Sequence, residues 1–121
     1  MTQSIFPMIH VPDVRATVEW YVSVLGFTKT GENIECGEMN WGRLRYGASE
    51  IMLNIEGRPS DAFRREVDLY LYASDVDALY ERLHERVDVV EPPHDTEYGM
   101  REFILRDCNR FWITFGQPAA N

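Results

Sequence analysis

The sequence predicts an α+β fold built from two βαβββ modules, and three observations support this prediction. An amphipathic helical stripe occurs twice, each time shortly after an apolar strand and directly after an aspartate. Short apolar segments typical of strands follow both stripes. The landmarks recur at one spacing, because Asp13 and Asp75 lie 62 positions apart and so do Ile51 and Ile113. A spacing that holds at both ends of a unit indicates an internal repeat.

The length and charge of the chain limit its organisation and its partners. Its 121 residues suit one domain, which we assign to residues 1–121 and divide into repeats 1–56 and 66–121. A net charge of −8 repels phosphate backbones, so we expect no nucleic-acid partner, whereas a cationic small molecule is attracted. No apolar run approaches the roughly 20 residues that span a bilayer, and the first residues lack a signal-peptide pattern. We therefore expect a cytoplasmic protein without a membrane partner.

The first module begins with a mostly apolar strand over residues 2–11. Asp13 is a good N-cap for the helix that follows. The helical stripe has spacings of four, three and four residues, which place its members on one face. Its members are Val14, Val18, Tyr21 and Leu25. Gly26 then suits a helix C-cap, and residues 27–55 are predicted to form short strands. The predicted turns between these strands lie at residues 31–33, 38–40 and 46–49.

The second module repeats this order after a linker of Gly, Pro and charged residues at 56–61. Residues 67–72 alternate like a strand, and Asp75 is the predicted N-cap of the second helix. The second helical stripe consists of Val76, Leu79, Tyr80 and Leu83. Further strands are predicted at 102–105 and 111–115. Residues 91–95 contain two adjacent prolines and are predicted to form a loop.

Several segments of the two modules match the pattern of a known family. They are Val11-Pro12-Asp13-Val14, Trp20-Tyr21, Leu25-Gly26-Phe27, Asp75-Val76-Asp77-Ala78-Leu79-Tyr80 and Arg101-Glu102-Phe103-Ile104-Leu105-Arg106-Asp107. With these segments the chain resembles the vicinal oxygen chelate superfamily, which includes glyoxalase I, extradiol dioxygenases and bleomycin-resistance proteins. The last segment and the alternating Tyr70-Leu71-Tyr72 are most similar to the bleomycin-resistance branch. The resemblance implies a curved, half-open barrel of mixed sheet with the helices outside.

Metal-dependent members of this superfamily place their ligands at equivalent strand positions in both modules. By analogy those positions are Phe6, Met52, Asp68 and Thr114 here. A phenyl ring and a thioether do not supply the hard oxygen or imidazole donors that a divalent ion takes in this fold. We therefore expect neither a metal ion nor another cofactor.

The resemblance and the alternation of strand residues together suggest a groove. Its predicted lining is His10, Trp41, Met52, Asp68, Tyr70, Tyr72, Trp112 and Thr114. This set is aromatic, has one carboxylate and lacks a nucleophile, so it suits a flat aromatic ligand whose protonated amine approaches Asp68. Two simpler interpretations stay open: the aromatic side chains fill a barrel core, and His10 is a half-buried histidine with a local hydrogen bond.

The resemblance implies a non-catalytic protein that binds a small, antibiotic-like molecule, with a cationic aromatic compound as one candidate. The alternative within the same superfamily is a divalent-metal-dependent lyase, isomerase or dioxygenase. A third class is an interaction module that works only as a dimer. We expect a homodimer, because the family pairs modules across chains and a symmetric pair is the commonest closed oligomer.

Overall fold

The computed structural model describes residues 3–120, which contain two helices and eight strands in two compact units. The first unit consists of β1 (Met8–His10), α1 (Val14–Ser23), β2 (Thr28–Glu35), β3 (Glu38–Tyr46) and β4 (Ser49–Asn54). The second unit consists of β5 (Asp68–Tyr72), α2 (Val76–Leu83), β6 (Asp88–Asp95), β7 (Met100–Arg106) and β8 (Trp112–Pro118). This element order confirms the predicted α+β class with two βαβββ modules. Neither helix in the described part of the chain has the length and apolarity needed to cross a membrane.

The sheet of the first unit has the strand order β1-β4-β3-β2, and α1 packs on one side of it. β1 pairs with β4 in parallel, whereas the other neighbouring strands are antiparallel. The predicted stripe residues Val14, Val18, Tyr21 and Leu25 are all buried. Gly42 on β3 lies directly under the helix, because a Cβ atom there would be 2.9 Å from a methyl carbon of Val18. The close approach of helix and strand thus requires glycine at this position.

The sheet of the second unit has the corresponding order β5-β8-β7-β6, with α2 on one side. Phe103 on β7 stacks on Phe115 on β8 with ring centroids 5.4 Å apart, and Tyr80 of α2 meets Phe103 edge to face. Val76 and Leu83 of the second stripe are buried, whereas Leu79 and Tyr80 are half-buried. The apolar core of this unit therefore lies between α2 and the residues of odd number on the central strands.

The strand register reproduces the spacing of the internal repeat. Met8 pairs with Met52 in the first unit, and Tyr70 pairs with Thr114 in the second. Each member of the second pair lies 62 positions after its counterpart in the first. The helices start at Val14 and Val76, which differ by the same amount. The two modules thus agree residue by residue in their parallel strand pairs and helix starts.

Three predictions for the first unit are wrong: the start of the first strand and two of the turns. The predicted first strand began at Thr2, which lies outside the described residues, whereas β1 begins only at Met8. Residues 31–33 and 38–40 are not turns, because β2 and β3 run through them with register shifts at β-bulges. The chain instead reverses at Cys36 and Gly37, whose φ angles of 51° and 79° form a tight turn. The predicted turn at 46–49 does separate β3 from β4.

The structure also corrects the predicted loop at residues 91–95. These residues belong to β6, which pairs with β7 on one side only. Prolines are tolerated on an edge strand because it needs few backbone donors, and the register shifts around Glu91 and His94 accommodate Pro92 and Pro93. His94 therefore lies on a strand, where its Nδ1 atom is 2.9 Å from the carbonyl oxygen of Pro92.

The two predicted N-caps allow a direct test of helix stability. The Asp13 carboxylate accepts a hydrogen bond of 2.9 Å from the amide of Ala16, and Asp75 accepts one of 3.0 Å from Ala78. We expect Asp13→Ala and Asp75→Ala each to cost about 1 kcal/mol, or a fall of about 4 °C in Tm. Asp13→Asn and Asp75→Asn keep an acceptor oxygen and serve as controls. Equal losses in the Ala and Asn variants, measured by thermal unfolding, would contradict the capping role.

Candidate functional site

The strand β5 separates a buried side from an exposed side of the second sheet. Leu71 is buried and Leu69 half-buried on the side of α2. Asp68, Tyr70 and Tyr72 alternate with the leucines and are exposed on the opposite side. We call that opposite side, together with the side chains that β8 and β7 place on it, the helix-distal face. Three of the predicted ligand-contact residues of this face belong to β5.

A buried carboxylate lies at the centre of this face. Glu102 on β7 is only 3% exposed. The Tyr70 hydroxyl donates a hydrogen bond of 2.7 Å to its Oε2 atom. The Tyr98 hydroxyl, from the turn between β6 and β7, lies 2.8 Å from both carboxylate oxygens. Three separate segments thus meet at one carboxylate, two of them through tyrosine hydroxyls.

Tyr70 reaches Glu102 only because the strand between them carries a glycine. In the strand order β8 lies between β5 and β7, and Gly116 of β8 pairs with Glu102. A Cβ atom at Gly116 would lie 2.1 Å from the Tyr70 hydroxyl oxygen, so no other residue fits without moving the phenol. Tyr70 also contacts Tyr72 edge to face, with ring centroids 5.4 Å apart.

The carboxylate changes the acidity of both phenols. Burial, followed by the hydrogen bond to Glu102, raises the pKa of Tyr70 well above its ordinary value of 10.0. For Tyr98 the hydrogen bond to Glu102 is the largest cause, and the pKa is raised as well. Both hydroxyls are therefore protonated at neutral pH, and each donates a hydrogen bond to the Glu102 carboxylate.

Asp68, the carboxylate that the sequence suggested as a cation contact, already has a cationic partner. The guanidinium of Arg64 donates hydrogen bonds to both of its oxygens, through Nη2 to Oδ2 and through Nε to Oδ1 at 3.3 Å. The same guanidinium carbon lies 4.2 Å from the ring centroid of Trp112. A ligand cation at Asp68 would have to displace Arg64.

Trp112, on the first residue of β8, is covered by the segment that precedes β5. Phe63 meets its ring edge to face at 5.5 Å, and the indole Nε1 donates to the Phe63 carbonyl at 2.9 Å. Arg106 donates to the same carbonyl, and Arg110 donates to that of Ala62. These contacts bind residues 62–64 to the end of the second sheet, so Trp112 is half-buried under its own chain.

The remaining predicted contacts differ in exposure and in position. Thr114 lies between Tyr70 and Ile104 in the register and is 8% exposed. His10, Trp41 and Met52 belong to the first sheet. His10 and Trp41 both pair with Asn54, and the Nδ1 atom of His10 is 2.8 Å from the Ile55 carbonyl oxygen. This hydrogen bond agrees with the simpler interpretation of His10, but the residue is exposed and not half-buried as that interpretation held.

The side chains of Trp41 and Met52 lie on the side of the first sheet that faces away from α1. A Cβ atom at Gly31 would lie 3.1 Å from the Trp41 ring, so that ring crosses over the neighbouring strand. The guanidinium of Arg43 lies 5.9 Å from the Trp41 ring centroid. Arg43 pairs with Met52 in the register. Each sheet thus has aromatic and polar side chains on the side away from its helix.

Comparison with known proteins gives the family. The model of the Glyoxalase/Bleomycin resistance protein/Dioxygenase superfamily matches residues 6–115. The chain belongs to this superfamily. The membership confirms the resemblance seen in the sequence, and the two βαβββ modules are the fold expected for it. No curated protein sequence matches the chain.

Solved structures share this fold over nearly the whole chain. TioX from Micromonospora sp. ML1 is 22% identical with a TM-score of 0.79, covering 97% of this chain and 99% of its own. A superfamily member from Sphaerobacter thermophilus DSM 20745 is 22% identical with a TM-score of 0.77, covering 96% and 97%. TnmS3 from Streptomyces sp. CB03234, an antibiotic binding protein, is 25% identical with a TM-score of 0.70, covering 98% and 99%.

The superfamily includes metal-dependent enzymes. The side chains at the positions that correspond to their metal ligands therefore determine whether this chain could hold an ion. Phe6 and Met52 offer a phenyl ring and a thioether, Thr114 is a buried hydroxyl, and the Asp68 carboxylate is paired with Arg64. Within residues 3–120, no three side chains of His, Cys, Asp or Glu are grouped closely enough to hold an ion. These donors do not fit a hard divalent cation, which prefers several carboxylate, carbonyl or imidazole ligands.

The sequence patterns did not predict a role for Glu102 or Tyr98, although Glu102 belongs to one of the segments that resemble the family. One signal was available. Successive side chains of the strand predicted at 102–105 point to opposite sides of the sheet, so Glu102 lies on the side opposite Phe103. A charged residue on the central strand of a sheet is unusual unless it has partners, because burial of a lone charge is costly.

The shared carboxylate predicts how the tyrosines titrate. When folding raises the pKa of a phenol, the protonated phenol stabilises the folded protein. This contribution to the free energy of unfolding is fully present below the pKa of the unfolded state and is lost as pH rises through the pKa of the folded state. We expect Glu102→Gln to lower the pKa of Tyr70 and Tyr98, measured by tyrosine ring-carbon NMR in alkaline titration. Tyr46 is the internal control, because burial alone raises its pKa. Unchanged midpoints for Tyr70 and Tyr98 in the variant would contradict the hydrogen bonds described.

Proposed function

We propose that this superfamily member is a non-catalytic protein that binds flat, antibiotic-like aromatic molecules on the helix-distal face of the second sheet. The observation that carries the proposal is the exposed tyrosine pair on β5. Tyr72 is 71% exposed and Tyr70 is 43% exposed, although the other side of the same strand is packed against the core. Large exposed aromatic rings on a rigid strand are typical of a binding surface.

The chemistry of this face favours binding over covalent catalysis. Its rings supply area for stacking, and its hydroxyls and carboxylate supply polar contacts that orient a ligand. Neither β5 nor β8 contains a serine or cysteine, and Thr114 on β8 is buried. The donors at the metal positions of the superfamily do not suit a hard cation. The alternative of a metal-dependent enzyme thus gains no support from these residues.

The likeness to TnmS3 supports an antibiotic-like ligand class. TnmS3 is an antibiotic binding protein, and its fold matches 98% of this chain at 25% identity. The net charge of −8 adds a long-range attraction for cationic compounds. We therefore propose a planar, cationic aromatic compound as the ligand class. For the first sheet, taken by itself, we propose His10, Trp41 and Met52 as ligand contacts.

Removal of an exposed ring tests the proposal. Bleomycin, daunorubicin and 9-aminoacridine serve as probes, and binding to the folded protein should raise Tm by mass action. For a probe that binds, we expect Tyr72→Ala to weaken affinity several-fold, since an aromatic contact contributes roughly 1 kcal/mol beyond its buried area. Affinity is measured by calorimetric titration, and the fold by circular dichroism.

Arg82→Ala is the matched control, because Arg82 is exposed on α2, on the other side of the same sheet. It should bind each probe as the parent protein does. Two results would refute the proposal: none of the three probes raises Tm at millimolar concentration, or Tyr72→Ala binds them as tightly as the control. His10→Ala, at the position equivalent to Tyr72, tests the first sheet separately.

We also propose that the protein is a homodimer. Each unit has a sheet with two edge strands, and a symmetric pair is the commonest closed oligomer. Sedimentation velocity at micromolar concentration should give about twice the chain mass of 14.1 kDa. A single species with the mass of one chain would show that the protein is a monomer.

A further inference from the structure

The carboxylate of Glu102 is buried, and within the described residues 3–120 it forms no ion pair. Among residues 3–120, the ion pairs involve other acidic groups, and no lysine, arginine or histidine nitrogen lies within 4.0 Å of the Glu102 carboxylate. His94 is opposite Glu102 in the strand register, but its ring nitrogens lie near the Pro92 carbonyl and the Glu91 carboxylate. Its hydrogen bonds come from the neutral hydroxyls of Tyr70 and Tyr98. A buried carboxylate is costly unless it is both hydrogen-bonded and neutralised by a nearby positive charge. Glu102 has the first kind of compensation and lacks the second.

The direction of these hydrogen bonds determines what the phenols offer to a ligand. An ionised carboxylate only accepts, so each tyrosine must turn its single hydroxyl hydrogen toward Glu102. The phenol oxygens then have only lone pairs left, and the Thr96 side chain also lies within hydrogen-bond reach of the Tyr98 oxygen. Both rings are accessible, since Tyr70 is 43% exposed and Tyr98 is 66% exposed. A ligand group that meets these two oxygens can bind only by donating hydrogens.

We propose that the phenol oxygens of Tyr70 and Tyr98 form an accepting site for a protonated amine of the ligand, with Glu102 as the positioning residue behind them. The inference rests on the proposed function and names the ligand group that the same face selects. An alkylammonium group has three donors and no acceptor, so it satisfies both oxygens and neutralises the buried charge. A carboxylate or phosphate group finds only lone pairs there and is repelled.

Asp68 does not serve the same purpose, although it lies on the same face. Its charge is compensated by Arg64, whose guanidinium also lies over Trp112. A second cation at Asp68 would therefore meet a positive charge rather than an open acceptor. The cation preference of the face is thus assigned to Glu102 and its two tyrosines.

The test uses three probes with one ring system and different charges: 2-naphthylmethylamine, 2-naphthylmethanol and 2-naphthoate. At neutral pH they are a cation, a neutral molecule and an anion. We expect the intact protein to bind the amine about tenfold more tightly than the alcohol, and the naphthoate least, by calorimetric titration.

Two substitutions separate the positioning role from a general charge effect. Glu102→Gln should lower the affinity for the amine about tenfold and change that for the alcohol by less than about twofold. Glu81→Gln removes the same charge from the exposed face of α2 and should leave both affinities unchanged. Tyr98→Phe removes one acceptor at an exposed position and should lower the affinity for the amine alone, several-fold. Circular dichroism establishes that each variant is folded.

Failure of this inference is distinguishable from failure of the proposed function. If the amine and the alcohol bind equally, or if Glu102→Gln and Glu81→Gln weaken the amine alike, the accepting site is refuted while aromatic binding stands. If Glu102→Gln does not fold, Tyr98→Phe decides, and an unchanged ratio of amine to alcohol affinity refutes the site. If none of the three naphthyl probes binds at millimolar concentration, the accepting site is refuted together with the aromatic face.

Discussion

Parallel pairing of the first and fourth strand of each module is the constraint on which the rest of the structure depends. It fixes Met8 opposite Met52 and Tyr70 opposite Thr114, and thereby decides which residues meet the helix. A slip of one residue would turn every side chain of the strand to the other side of the sheet. The buried Leu71 would then lie on the helix-distal face and the tyrosines would face α2. The position of the aromatic rings on the helix-distal face is therefore a consequence of core packing.

The features that depend on local sequence could be predicted. Asp13 and Asp75 cap their helices because an aspartate side chain reaches the amide three residues ahead, whatever the rest of the chain does. The alternation of Leu69 and Leu71 with the tyrosines follows from the geometry of any strand. The repeat could be recognised because the helix packs on the sheet in the same way in both modules, and the residues involved have the same spacing along the chain. The fold class could thus be predicted from the sequence, whereas the family was indicated by the resemblance of several segments to known proteins.

The features that depend on tertiary structure could not be predicted. Pro92 indicated a loop, and only the edge position of β6 explains why a strand tolerates it. Glu102 meets Tyr98, which is four residues away, and Tyr70, which is 32 residues away on another strand. The pairing of Asp68 with Arg64 depends on how the preceding segment lies over the sheet. In both cases the residue types were evident, but their partners were set by tertiary structure.

The segment before β5 limits how the protein can be divided. Residues 62–64 accept hydrogen bonds from Trp112 and Arg106 and cover the indole ring, although their composition suggested a linker close by. A half-length polypeptide that starts at residue 66 would uncover that ring and leave the indole and guanidinium donors to water. An autonomous copy of the second half, in evolution or in engineering, therefore has to start before Ala62, and any hinge between the halves has to lie before that residue.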